Sequence, residues 1–310
     1  MIDFFSKIWS YFAEYQLSVL LVGGWGGSGG IKTSEVISPK EITCTPNIPD
    51  LPKAISFQPS LLLTPDHKLV LCGGDNNTDT CLELRNNDWK FHSSLNQQRK
   101  NAFGVSMKQG VFIFGGWDSP NTTWEWLPNG SSQWKNGTNQ IPSPGFKQGC
   151  AVKISENVIS LVGGSRSPRR LLTFNVDTKE WKNYGNVLKH GRYGHACVLF
   201  NDQIVIVGGY TGSEDLASTE VIDLQDLRTS TFSGNLNQAR YGLGLVTHFG
   251  NIPTIAAIGG SIYKDGTNTY FDSIETWNET TGKWTTSTTK LVQPKFNFGY
   301  SSIPVNLVCS

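Results

Sequence analysis

The sequence predicts an all-β propeller of six four-stranded blades, on three observations. Six apolar runs end in a Gly-Gly pair, at Gly23-Gly24, Gly73-Gly74, Gly115-Gly116, Gly163-Gly164, Gly208-Gly209 and Gly259-Gly260. The pairs are spaced by 50, 42, 48, 45 and 51 residues, within the range of propeller-blade repeats. Each pair is also embedded in the same succession of short strand-like segments.

The strand before each pair is a continuous apolar run: SVLLV, KLVLC, VFIF, VISLV, QIVIV and TIAAI. Continuous rather than alternating hydrophobicity means burial on both faces, as for a blade's second strand packed between neighbouring blades. The glycines allow left-handed φ and close backbone approach. Upstream lies a strand of small and apolar residues (FGVSM, GCAVKI, HACVLF). Downstream lies a third strand with an acidic-apolar signature (SEVIS, LEL, WEWL, TEVIDL, IETW). A fourth strand carries Trp89, Trp134, Trp181 or Trp284; Phe232 is expected to stand in for Trp in the fifth unit, and the first unit has no aromatic there. A large aromatic at this position covers the edge between blades.

The ends fit ring closure. The chain enters at a second strand, Leu17 to Gly24, and finishes on KFNFGYSSIPVNL, which reads as a first strand with nothing after it. The C-terminal strand is expected to complete the first blade and leave no open radial edge. Residues 1–16 form a separate amphipathic segment, with Phe5, Ile8, Trp9 and Phe12 on one helical stripe, ahead of a single propeller domain over 17–310. That segment makes a poor signal peptide: Asp3 and Glu14 interrupt it and no basic n-region precedes it.

Composition narrows the function. Hydrophobic residues at 38% supply a core, charged residues at 16% are few, and the formal charge of +1 with no basic run argues against nucleic acid. No apolar stretch reaches membrane-spanning length. Six cysteines and five N-x-S/T sequons (Asn76, Asn121, Asn129, Asn136, Asn278) tilt the compartment toward the extracellular space or secretory lumen, with the cytoplasm as the alternative. Cys72 and Cys81 bracket one strand-to-strand turn and are the expected disulfide. Cys150 and Cys197 sit in neighbouring first strands but differ by one alignment position, which would point them to opposite faces.

Sixteen residues before three of the pairs stands a cation each time: Arg99, Lys147 and Arg192. Arg240 holds the same place after the insertion HFGNIP, and Lys295 opens the last strand. All five are expected at one mouth of the channel, with Tyr193 and Tyr241 following two of them. Arginine and tyrosine together form a surface suited to partner binding; the same position would equally suit capping of neighbouring blade carbonyls. Glycans at Asn76 and Asn121 would crowd that mouth. The third-strand acids Glu35, Glu83, Glu125, Glu220 and Glu275, one per blade, point to a blade-to-blade structural role. Neither a C-x-x-C motif nor a Cys/His cluster suggests zinc, and no phosphate loop or G-x-S-x-G elbow occurs.

These features resemble the kelch repeat: a basic residue before the first strand, the apolar run ending in Gly-Gly, an aromatic or aliphatic third-strand position and the Trp. The resemblance covers residues 17 to 310 in six units, with no BTB-type domain beside them. It implies one four-stranded sheet per blade. In kelch substrate adaptors, arginines at this position line the ligand face, a role the resemblance carries to Arg99, Lys147, Arg192, Arg240 and Lys295. No convergent catalytic or metal set and no cofactor is readable. The expectation is therefore a monomeric, non-catalytic module binding a protein partner, or a glycan, through a propeller face. Two alternatives accompany it: a kelch-propeller enzyme of sialate-mutarotase or galactose-oxidase-like type, and a cytoplasmic adaptor or actin-associated kelch protein.

Overall fold

The computed structural model describes residues 17–38, 46, 48–74, 79–117, 121–247, 249, 254–278, 281–307 and 309. The amphipathic segment 1–16, Cys44, Asn76 and His248 lie outside the described residues.

Six antiparallel sheets stand around one axis. Blade 2 comprises Ser60–Leu63, Leu69–Cys72, Thr80–Arg85 and Asp88–Ser94; blade 3 comprises Phe103–Met107, Gly110–Phe114, Trp124–Pro128 and Lys135–Asn136. Blade 4 runs through Cys150–Lys153, Val158–Val162, Arg170–Asn175 and Trp181–Asn186, and blade 5 through Ala196–Phe200, Gln203–Val207, Ser218–Asp223 and Thr231–Asn235. Blade 6 has Gly244–Thr247, Ile255–Ile258, Ser273–Asn278 and Lys283–Lys290. Blade 1 is the closure: Gly299–Pro304 pairs antiparallel with Leu17–Val22, which pairs with Ser34–Ile37. The innermost strands pack each against the next in an unbroken circle, so both ends of the chain hold one blade. The fold is the six-bladed propeller expected.

The Gly-Gly period has a direct cause. Gly115 and Gly116 take φ of 59° and 105°. A Cβ on Gly115 would lie 2.0 Å from the Phe146 carbonyl oxygen of the next blade, the same oxygen to which the Gly116 N–H donates at 3.2 Å. The equivalent bond recurs from Gly164 to Arg192, Gly209 to Arg240 and Gly260 to Lys295. Each pair thus clips its blade to the next one at the mouth.

The core lies between blades. Cys150, Val152, Val162 and Leu171 of blade 4 meet Cys197, Ile204 and Ile206 of blade 5, whereas Ala196, Val205 and Val207 on the other side of blade 5 meet Leu243, Leu245 and Ala257 of blade 6. This geometry corrects one expectation. Cys150 and Cys197 form a disulfide, with Cα atoms 6.0 Å apart. Touching blades present opposite faces to each other, so an offset of one position is the parity that brings side chains together. Cys72 and Cys81, directly opposed across two strands, form the second bridge. Cys309 is disulfide-bonded as well.

The outer tryptophans Trp89, Trp134 and Trp284 are buried. Trp284 donates to Thr219 of the preceding blade and Trp89 to Pro49 beside blade 1. Phe232 does not replace them. It pairs opposite Glu220 and is 49% exposed, and the buried Ser230, two residues earlier, occupies the tryptophan position.

Candidate functional site

The structure places Arg99, Arg192, Arg240 and Lys295 inside the protein, none more than 1% exposed, each against a third-strand carboxylate. Arg99 Nε lies 3.0 Å from Glu125, Arg240 Nη2 2.9 Å from Glu275, and Lys295 Nζ 3.1 Å from Glu35; Arg192 bonds Glu220. The guanidiniums also donate to the first glycine of their own blade: Arg99 to Gly115, Arg192 to Gly208, Arg240 to Gly259. The carboxylates in turn accept backbone N–H groups from the segment entering the blade, Asn96 and Gln97 on Glu125, Asn237 and Gln238 on Glu275. These pairs fasten the connection between blades, and they do not form a solvent-facing cationic rim. Burial lowers the pKa of all four basic groups, opposed by the partner carboxylates. Burial alone would raise the Glu220 carboxyl, but the Ser230 hydroxyl, Arg192 and the N–H groups of Lys189 and His190 hold it below its ordinary value.

Blades 2 and 4 replace the ion pair with apolar residues. Ile55 and Phe146 stand where the basic residue stands elsewhere, accepting from Gly24 and Gly116, and Leu82 and Leu172 take the register of the acid. Glu83 falls one position further along, beside His92. Lys147 therefore belongs to the position after the basic residue, equivalent to Lys100, Tyr193, Tyr241 and Phe296. Its carbonyl accepts from Ser165 as that of Tyr193 accepts from Tyr210. The hairpin joining the first two strands is longer in blade 4, spanning Lys153 to Ile159 against Leu199 to Ile204 at the equivalent positions of blade 5, and this displaces a count made back from the glycines.

What gathers at the mouth is aromatic. Tyr193 lies 5.5 Å from Tyr210 and 6.1 Å from Tyr241; Tyr241 lies 6.2 Å from Phe296, and Phe296 5.4 Å from Tyr270. Trp25 faces Phe57 at 6.3 Å. Across the mouth, Lys147 Nζ sits 3.2 Å from the centroid of the Trp117 ring. Phe57 and Trp117 are 41% and 43% exposed, while Trp25, Tyr193, Tyr210, Tyr270 and Phe296 are half-buried. The residues responsible lie after the Gly-Gly pairs and after the basic positions, where strand patterning is silent.

The floor of the mouth is a backbone collar. Asn101 N donates to Phe57 O, Gln148 to Asn101, Gly194 to Gln148, Gly242 to Gly194, Asn297 to Gly242 and Gln58 to Asn297, over 2.7 to 3.1 Å. All these residues have φ between 51° and 63°. Tyr241 lies across the collar, and its hydroxyl accepts from the carboxamides of Gln148 and Asn297. Burial pushes this phenol up to about 12. Beneath is an axial cavity of about 180 Å³ lined by residues including Ser60, Phe103, His195 and Tyr300. The His195 ring nitrogen Nε2 lies 3.2 Å from the Val162 carbonyl oxygen, and burial takes this imidazole down to about 3, so it is neutral.

Among the described residues no three His, Cys, Asp or Glu side chains are grouped to hold a metal ion. Tyr193, Tyr210 and Tyr241 converge, but His195 is buried beneath the collar with Nε2 at the Val162 carbonyl, so these side chains do not fit the two-histidine, two-tyrosine copper set of a galactose-oxidase-like centre. Of the sequon asparagines, Asn129, Asn136 and Asn278 are exposed and Asn121 is half-buried on the mouth side. No described helix is long and apolar enough to cross a membrane.

The Kelch motif matches residues 191–231, the Arg192-to-Thr231 span of blade 5. With six blades of one register, the chain is a kelch-type β-propeller. No curated protein matches it in sequence. Among solved structures it is similar to a fungal alcohol oxidase of the AA5 family in complex with copper, with a TM-score of 0.64 and 14% identity over 91% of this chain. The chain spans 64% of that protein's length. It is also similar to YjhT, with a TM-score of 0.66 and 14% identity over 81% of this chain and 88% of the other. At this identity the likeness shows the fold. It nevertheless corrects the expectation of a non-catalytic module, because a propeller of this shape that superposes on most of the chain is an oxidase.

Proposed function

We propose that this protein binds carbohydrate at the aromatic mouth. The observation that carries the reading is the set of aromatic faces left open around a hydrogen-bonding floor: Phe57 and Trp117 are prominently exposed, with Trp25, Tyr193, Tyr210, Tyr270 and Phe296 between them. A sugar ring presents C–H faces that cover flat aromatic area and hydroxyls that need polar partners. A mouth lined by rings over carboxamides and a phenol offers both. The alcohol oxidase likeness agrees in one respect: an alcohol is a hydroxyl-bearing ligand, so turnover belongs in the same assay as binding. The disulfides and the exposed sequons support an extracellular site of action.

A protein partner at the same mouth is the second reading, favoured by Lys147 over the Trp117 ring with Arg166 near Lys147, a basic-aromatic group of the kind that anchors interfaces. The test is calorimetric titration of the full chain with methyl glycosides of neutral hexoses, with product analysis of each mixture. Tyr210→Ala and Phe296→Ala are expected to weaken binding at least about tenfold, the effect of losing roughly 1.4 kcal/mol of ring contact. Absence of binding across the panel, or unchanged affinity in both variants, refutes the carbohydrate reading.

A further inference from the structure

The collar carries a polar pattern that the fold itself leaves unused. Gln148 and Asn297 belong to blades 4 and 1, which stand opposite each other in a ring of six, and both donate to the Tyr241 hydroxyl. A hydroxyl reached from opposite blades lies on the propeller axis. At the same level, Gln58 Oε1, Asn101 Oδ1 and Asn297 Oδ1 are buried without a hydrogen-bond partner. Native proteins rarely leave buried polar atoms unpaired.

All three orphan atoms are acceptors, and the Tyr241 hydroxyl, which already accepts two amide N–H groups, retains its own hydrogen to donate. A cation there would meet inward N–H and O–H dipoles, and an anion would meet carbonyl oxygens. A neutral hydroxyl satisfies both, accepting from Tyr241 and donating to a carboxamide oxygen. Resting on the carbohydrate reading, we propose that the axial collar recognises one hydroxyl of the bound sugar, with Tyr241 as the specificity-determining residue. The Tyr241 ring is the cover of the collar: it spans from blade 6 to blades 4 and 1 and lies over Gly194, where a Cβ would come 2.1 Å from it.

The experiment pairs each methyl hexoside with its monodeoxy analogues against the full chain. Wild type is expected to bind one deoxy analogue about tenfold more weakly than its parent, the effect of one hydrogen-bonded hydroxyl. Tyr241→Phe keeps the ring over Gly194 and removes only the oxygen; it is expected to bind parent and analogue equally. Asn101→Gly is expected to do the same, and its fold is safe because Gly194 and Gly242 already fill equivalent positions at φ of 62° and 63°. A purely structural collar would lower the melting temperature of these variants and leave the discrimination intact. That result, with Tyr210→Ala and Phe296→Ala still weakening binding about tenfold, overturns this inference and leaves the carbohydrate reading standing. Failure of wild type to bind any hexoside removes both.

Discussion

Arg240 and Glu275 meet at 2.9 Å with both side chains buried, tying the segment that enters blade 6 to that blade's third strand. The same tie joins Arg99 to Glu125, Arg192 to Glu220 and Lys295 to Glu35, while blades 2 and 4 put Ile55 with Leu82 and Phe146 with Leu172 in its place. One chain thus holds the ionic and the apolar solution to one joint.

Breaking one half of the joint strands a buried charge. Arg240→Ala and Glu275→Ala are each expected to lower unfolding free energy by about 3–5 kcal/mol in urea titrations. The double change Arg240→Phe with Glu275→Leu copies blade 4 and is expected to recover most of that loss, since well-packed apolar pairs often equal buried ion pairs. A double variant no more stable than either alanine variant would show that the carboxylate's bonds to Asn237 and Gln238 dominate the joint.

Closure of the ring rests on Gly299–Pro304 beside Leu17–Val22. A chain ending at Gln293 loses that strand and exposes Leu20, Leu21 and Val22, now fully buried, on a free edge. The expected outcome is self-association in light scattering with a lowered melting temperature. An unchanged monomer would mean that the edge is covered by other means.

Much of this was legible in sequence because it depends on periodic patterning. The blade count, the second strands and the closing strand follow from apolar runs and glycine pairs. What was not legible depends on a single-residue register or on turns. The longer hairpin of blade 4 sets Lys147 one position past the basic residue, and the pairing of Glu220 with Phe232 and Val221 with Thr231 carries Ser230 rather than Phe232 to the tryptophan position. The burial of Arg99, Arg192 and Arg240 was open, since the same residues suit a rim and a cap. Tyr193 and Tyr241 were legible at the mouth from their place after Arg192 and Arg240, but Trp25, Phe57, Trp117, Tyr210 and the collar occupy turn positions whose convergence only the closed ring creates.

The Cys150–Cys197 bridge joins two blades across a sequence separation of 47, against 9 for Cys72–Cys81. Chain-entropy reasoning assigns the longer closure about 4 kcal/mol and the shorter about 2.6 kcal/mol. Replacing both Cys150 and Cys197 with alanine is therefore expected to cost more stability than the same change at Cys72 and Cys81. The reverse order in parallel denaturation curves would show that local packing around Cys72 outweighs the loop term.

His195 sets an acid limit on the fold. Burial holds its pKa at about 3 in the folded protein, against 6.5 for the ordinary imidazole. Below 6.5 the unfolded chain takes up a proton that the folded chain refuses until about 3. Stability is fully present above 6.5 and is lost as pH falls between those values, at about 1.4 kcal/mol per pH unit once the unfolded imidazole is charged. His92, also lowered by burial, adds in the same direction. His195→Gln removes the titrating group while keeping a polar side chain near Val162, so its unfolding free energy is expected to fall less steeply than that of wild type between pH 6 and 4.5, a window set by the 6.5-to-3 interval. Identical slopes in urea titrations at those pH values would assign the acid sensitivity to other groups.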